Sequence, residues 1–121
     1  VGVPGEDIGT VADAGGVQIL RGSAAGLTAV GAKSFVQSLA GVPGTAEKGD
    51  HWGGQVRLAD TDADGRSELL AAAPGENTDD GVVWWLAAST TGAMSTGSWS
   101  YGGGSLGASG TDARFGTPID E

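Results

Sequence analysis

Nine consecutive residues carry the clearest chemical pattern in the chain: Asp60-Thr61-Asp62-Ala63-Asp64-Gly65-Arg66-Ser67-Glu68. Oxygen-bearing side chains recur at alternate positions, and a glycine follows them at the bend. A hard cation such as calcium takes about six to eight oxygens at roughly 2.3–2.6 Å, mixing carboxylates, carbonyls and water. A tight loop turns the side chains at its first, third and fifth positions toward one concave side. Gly65 permits the sharp turn that this requires. The main-chain carbonyl of Arg66 can add a ligand at the seventh position, and Glu68 at the ninth can close the site. Four carboxylates this close repel one another unless a cation neutralises them. Magnesium fits less well, because it keeps its waters and seldom fills an all-protein cage. An EF-hand would need an acid at the twelfth position, which here is Ala71, and a helix on either side. Leu69–Ala73, stopped by Pro74, reads instead as a buried strand. The bland alternative is an acidic turn that holds no ion.

Other chemistry is thinner. His51 is the only histidine, too little for a zinc site; a catalytic triad would need it beside a Ser and an acid, and it reads as a solvated loop residue. Gly102–Gly107 spells a dinucleotide fingerprint, but that motif needs a following helix and a βαβ unit, so the segment reads as a loop. Trp84 and Trp85 are adjacent in a strand and must point to opposite faces, one of them into the core. Trp85, Trp99 and Tyr101 are candidate ligand-binding residues, since an exposed aromatic can stack on a sugar ring. Trp52 and Phe115 read as core.

Composition sets the frame. The chain has 121 residues, of which 24 are glycine, and a formal net charge of −9. A glycine-rich chain with short apolar runs suits an all-β protein with many tight turns. The acidic balance argues against nucleic acid and anionic membrane as partners, since both select basic patches. There is no cysteine, which excludes disulfides and thiolate metal sites. No run approaches the roughly 20 apolar residues of a membrane-spanning helix.

The elements that must position the acidic loop repeat along the chain. Val1-Gly2-Val3-Pro4-Gly5-Glu6-Asp7 returns as Ala71-Ala72-Ala73-Pro74-Gly75-Glu76-Asn77. Gly16–Leu20 returns as Gly81–Leu86, and Asp50-His51-Trp52-Gly53 as Ala113-Arg114-Phe115-Gly116. A period of about 63 to 70 residues suits a four-stranded blade of a β-propeller with generous loops. The four strands are expected at Gln55–Ala59, Glu68–Ala73, Val82–Ala87 and Ser98–Tyr101. The preceding unit supplies Val1–Val3, Val17–Arg21 and Ser34–Gln37, with Ser23–Gly26 as a loop. The chain thus divides into a partial blade at 1–50 lacking its first strand and loop, a complete blade at 51–113, and the first strand of a following or shared blade at 114–121. Two blades cannot close a ring, for which about four are needed. The rest is expected from further blades of the same propeller or from additional chains.

Taken together, these motifs resemble FG-GAP repeats, the blades of integrin-α-type calcium-binding propellers that also occur in bacterial exported proteins. Trp52-Gly53 stands for the Phe-Gly of the repeat, Asp60–Glu68 for its calcium loop and Ala73-Pro74-Gly75 for its Gly-Ala-Pro. Phe115-Gly116 begins another copy, and Val3-Pro4-Gly5 ends an earlier one. Glu68 departs from the pattern, standing where the family has Asp. The resemblance implies a structural calcium ion held by Asp60, Asp62, Asp64, the Arg66 carbonyl and Glu68. It implies a non-catalytic binding or scaffolding module of a secreted or extracellular protein, with a protein or glycan ligand. Two alternatives are a carbohydrate-binding propeller and the propeller part of a secreted hydrolase or lyase whose catalytic residues lie outside this chain.

Overall fold

The computed structural model describes residues 1–119. Nearly all of its regular structure is β, in antiparallel sheets. The first sheet has the order β1 (Gly2–Val3), β2 (Gly16–Ser23), β3 (Gly26–Phe35). The second is four-stranded and is built from β4 (Gln55–Ala59), β5 (Glu68–Ala73), β6 (Val82–Leu86) and β9 (Trp99–Gly102), in that order. Between β6 and β9 a small hairpin, β7 (Ala88–Ser89) and β8 (Gly92–Ala93), folds back on the sheet. The two antiparallel sheets are compatible with successive partial propeller blades, the first with three strands among the described residues.

The register makes the repeat visible in space. Gly2 pairs with Val17, which pairs with Phe35; Ala72 pairs with Val83, which pairs with Tyr101. The irregular links repeat as well. His51 and Trp52 donate their backbone N–H groups to the carbonyls of Asp13 and Ala14, as Arg114 and Phe115 do to Asp79 and Asp80. Asp13, His51, Asp79 and Arg114 all hold positive φ at these matching places.

Strand alternation then assigns the faces. Leu69, Ala71 and Ala73 of β5, with Trp84 and Leu86 of β6, turn toward the first blade and meet Val17, Ile19 and Phe35. Trp52 fills the junction, fully buried, edge-on to Trp84 with ring centroids 6.2 Å apart. The close approach at Gly53 is obligatory: its φ is 85°, and a Cβ there would lie 2.5 Å from the Gly16 carbonyl oxygen. Polar links close the edges of the interface. The Trp84 indole N–H donates to the Pro43 carbonyl at 2.8 Å, Lys33 Nζ to the Ala93 carbonyl at 3.0 Å, and Arg21 to the Thr91 carbonyl.

Two expectations need correction. The loop expected at Ser23–Gly26 shrinks to a two-residue turn, and β3 begins at Gly26 rather than near Ser34. The Ser23 hydroxyl ties the turn, donating to the Gly26 carbonyl at 2.7 Å and accepting the Ala25 N–H at 3.2 Å. This arm stands in solvent with Leu27 77% and Val30 81% exposed, so it lacks the one-sided apolar pattern that marks a strand. Of the strand expected over 114–121, Arg114–Ile119 form turns and irregular backbone, and Asp120 and Glu121 lie outside the described residues. A first strand of a blade pairs with the second strand of its own blade, as β4 does with β5, and among the described residues nothing pairs so with this segment.

Candidate metal centre

The loop 60–67 joins β4 to β5 at one end of the four-stranded sheet. The register Ala59↔Glu68 brings its two ends side by side, so Glu68 faces Asp60 across the loop mouth. Gly65 takes the expected left-handed conformation at φ 85°, and Ala63 takes it too at φ 62°. These two reversals fold the loop tightly enough for its backbone N–H groups to point inward. Asp64 donates its N–H to Asp60 Oδ1 at 3.1 Å and to Asp62 Oδ1 at 3.2 Å, and Gly65 donates to Asp60 Oδ2 at 3.0 Å.

The carboxylates of Asp60, Asp62 and Glu68 converge, each offering an oxygen within 4.8 Å of the others. The two aspartates are exposed at the mouth, while Glu68 is 1% exposed and forms the floor. Three hard, anionic oxygen donors at that separation fit the donor chemistry of calcium. The longer arm of Glu68, where the family pattern has Asp, is accommodated by burial and by two hydrogen bonds. Its Oε2 accepts the Thr61 N–H at 2.8 Å and the Thr61 hydroxyl at 2.7 Å.

Asp64 does not join the converging group. Its carboxylate accepts the Arg66 N–H at 2.8 Å and pairs with the Arg66 guanidinium. The Arg66 side chain thus occupies the oxygen that the loop pattern assigns to a cation.

Trp85, Trp99 and Tyr101 lie together on the face of the second blade that points away from the first. Trp85 stacks on Trp99 with centroids 5.7 Å apart, Trp99 tilts against Tyr101 at 5.1 Å, and Phe115 meets Tyr101 edge-on at 5.8 Å. Trp99 is 48% exposed. Register equates this row with a covered surface: Val83, Tyr101, Trp85 and Trp99 occupy the positions that Val17, Phe35, Ile19 and Lys33 hold in the first blade.

A second acidic group, not anticipated from the sequence, sits at the junction of the blades. Asp50 and Glu76 are 1% and 8% exposed, and Gln37, at 1%, donates its Nε2 to Glu76 Oε2 at 2.9 Å. Burial pushes the Glu76 carboxyl up to about 7; the Gln37 hydrogen bond opposes this, and the charges of Asp50 and Glu47 add to it. Burial likewise raises Asp50, against the Glu47 backbone N–H that donates to it at 2.6 Å. The Glu76 carboxyl is thereby shifted toward its protonated form beside Asp50. The available signal was the repeat itself, which puts Glu6 and Glu76 at one position; Glu6 is exposed and Glu76 is buried.

Residues 52–85 match the family model of the FG-GAP repeat, a span that runs from Trp52 through β4, the acidic loop and β5 into β6. No curated protein and no solved structure matches the chain.

Proposed function

We propose that this chain is a calcium-stabilised β-propeller segment that serves as a non-catalytic binding or scaffolding module of an exported protein. One observation carries the metal part of the reading: the convergence of Asp60, Asp62 and Glu68 within 4.8 Å. Asp64 and the Arg66 main-chain carbonyl complete the ligand set, Asp64 by exchanging its Arg66 guanidinium for the ion. The ion supplies charge neutralisation. It relieves repulsion among the clustered carboxylates and fixes the turn between β4 and β5, so its role is structural.

The aromatic row supports a further blade as the neighbour on that side. Its counterpart in the first blade is already packed against a blade, with Val17 1% and Phe35 3% exposed. This favours a packing role for Trp85, Trp99 and Tyr101 over a sugar-binding one. Among the described residues no helix is long and apolar enough to cross a membrane.

Thermal melting in excess calcium and in chelator tests the reading. A ligand that binds only the folded state stabilises it by about 2.7 kcal/mol at a hundredfold excess over Kd. A calcium-dependent rise in Tm that Asp60→Ala and Asp62→Ala both abolish supports the site. A cooperative melt indifferent to calcium makes the loop an acidic turn.

A further inference from the structure

The loop and the aromatic face are joined by a hydrogen-bonded chain. Trp85 Nε1 lies 2.7 Å from Thr61 Oγ1, and Thr61 Oγ1 lies 2.7 Å from Glu68 Oε2. Its direction is fixed by chemistry. An indole nitrogen only donates, and an ionised carboxylate only accepts. The Thr61 hydroxyl must therefore accept from Trp85 and give its single proton to Glu68. The Thr61 N–H adds a second bond to the same oxygen. Thr61 is thus the only residue of the loop that touches both the converging carboxylates and the row Trp85–Trp99–Tyr101–Phe115, among the described hydrogen bonds.

We propose that Thr61 is a positioning residue: it aims Glu68 at the cation and couples occupancy of the loop to the placement of Trp85 on the aromatic face. The inference rests on the calcium reading above. Glu68 has one more rotatable bond than the Asp that the loop pattern carries, and it needs an anchor if its carboxylate is to stay with Asp60 and Asp62. Two bonds to Oε2 supply that anchor. A cation drawing on the same carboxylate weakens Oε2 as an acceptor, because a hydrogen bond to a full anionic charge is the stronger kind. The change passes through one hydroxyl to the indole N–H. Groups that orient a metal's ligands are worth about 10–100-fold in metal affinity when removed.

The test uses the full chain, calcium titration by calorimetry, and tryptophan emission. The wild type is expected to release or take up heat on binding calcium and to change its emission in step. Trp85→Phe should keep the affinity within about threefold and lose the emission change, assigning that signal to Trp85 rather than Trp52, Trp84 or Trp99. Thr61→Val, close in shape but without the hydroxyl, should bind calcium about tenfold or more weakly and lose the emission change. Thr61→Ser restores the hydroxyl and should recover both, which separates positioning from a general packing loss. Equal affinity and equal emission change in Thr61→Val and wild type overturn the coupling and leave the calcium site standing. No calcium heat from the folded wild type overturns the site and the coupling together.

Discussion

Replacing Glu76 by Gln should stabilise the protein in a pH-dependent way. The Glu76 carboxyl is moved from its ordinary 4.5 to about 7, first by burial and then by the neighbouring Asp50 and Glu47 charges, against the Gln37 hydrogen bond. The folded state therefore binds this proton more tightly than the unfolded chain does. The stability associated with the protonated group is complete below about 4.5 and is lost as pH rises toward 7. Above 7 the folded protein carries an ionised carboxylate in a buried junction. At 1.36 kcal/mol per pH unit the full effect is about 3 kcal/mol for this buried residue. Glutamine cannot ionise, keeps an oxygen for the Gln37 amide and offers an N–H to Asp50. The assay is Tm against pH from 4.5 to 8.5 for wild type and Glu76→Gln. Near pH 4.5 the two should agree, and by pH 8 the variant should melt about 10 °C higher. Asp50, raised in the same direction, leaves a residual slope in both proteins. Parallel curves across the whole range would refute the buried proton.

The two glycines with the same backbone conformation should separate by environment. Gly65→Ala meets no atom within 4 Å and should cost about 1 kcal/mol in a urea melt, from the left-handed backbone alone. Gly53→Ala adds a clash with the Gly16 carbonyl and should cost at least about 3 kcal/mol. Among the tryptophans, Trp84→Ala should cost about 3–5 kcal/mol, because the side chain is buried between blades and its N–H is paired. Trp99→Ala, half exposed, should cost about 1 kcal/mol or less by the same measurement. Calcium should raise Tm in the wild type and not in Asp62→Ala, as read by a melt in calcium and in chelator.

Local chemistry was enough for the elements that border the loop. Gln55–Ala59 and Glu68–Ala73 could be delimited because an alternating or apolar run ends at an acidic turn on one side and at Pro74-Gly75 on the other. The bend at Gly65 followed from the same logic, since few residues but glycine turn so sharply at low cost. The period of the motifs gave the blade architecture, because each blade repeats one pattern of turns. What the sequence could not supply was which distant groups meet, as Gln37 and Glu76 do across 39 residues. Gln37, Asp50 and Glu76 come from the end of one blade, the linker and a turn of the next, and only packing makes them one buried group. The length of β3 also depended on its partner: its outer half has no apolar side and is held by pairing with β2. In the loop, spacing identified the carboxylates, yet rotamers decided that Glu68 turns in with Asp60 and Asp62 while Asp64 turns to Arg66. Strand alternation put Trp84 and Trp85 on opposite faces from the sequence alone. Only the tertiary structure decided that Trp84 faces the first blade and Trp85 the acidic loop, because a period of two fixes sides relative to each other and not which side is covered.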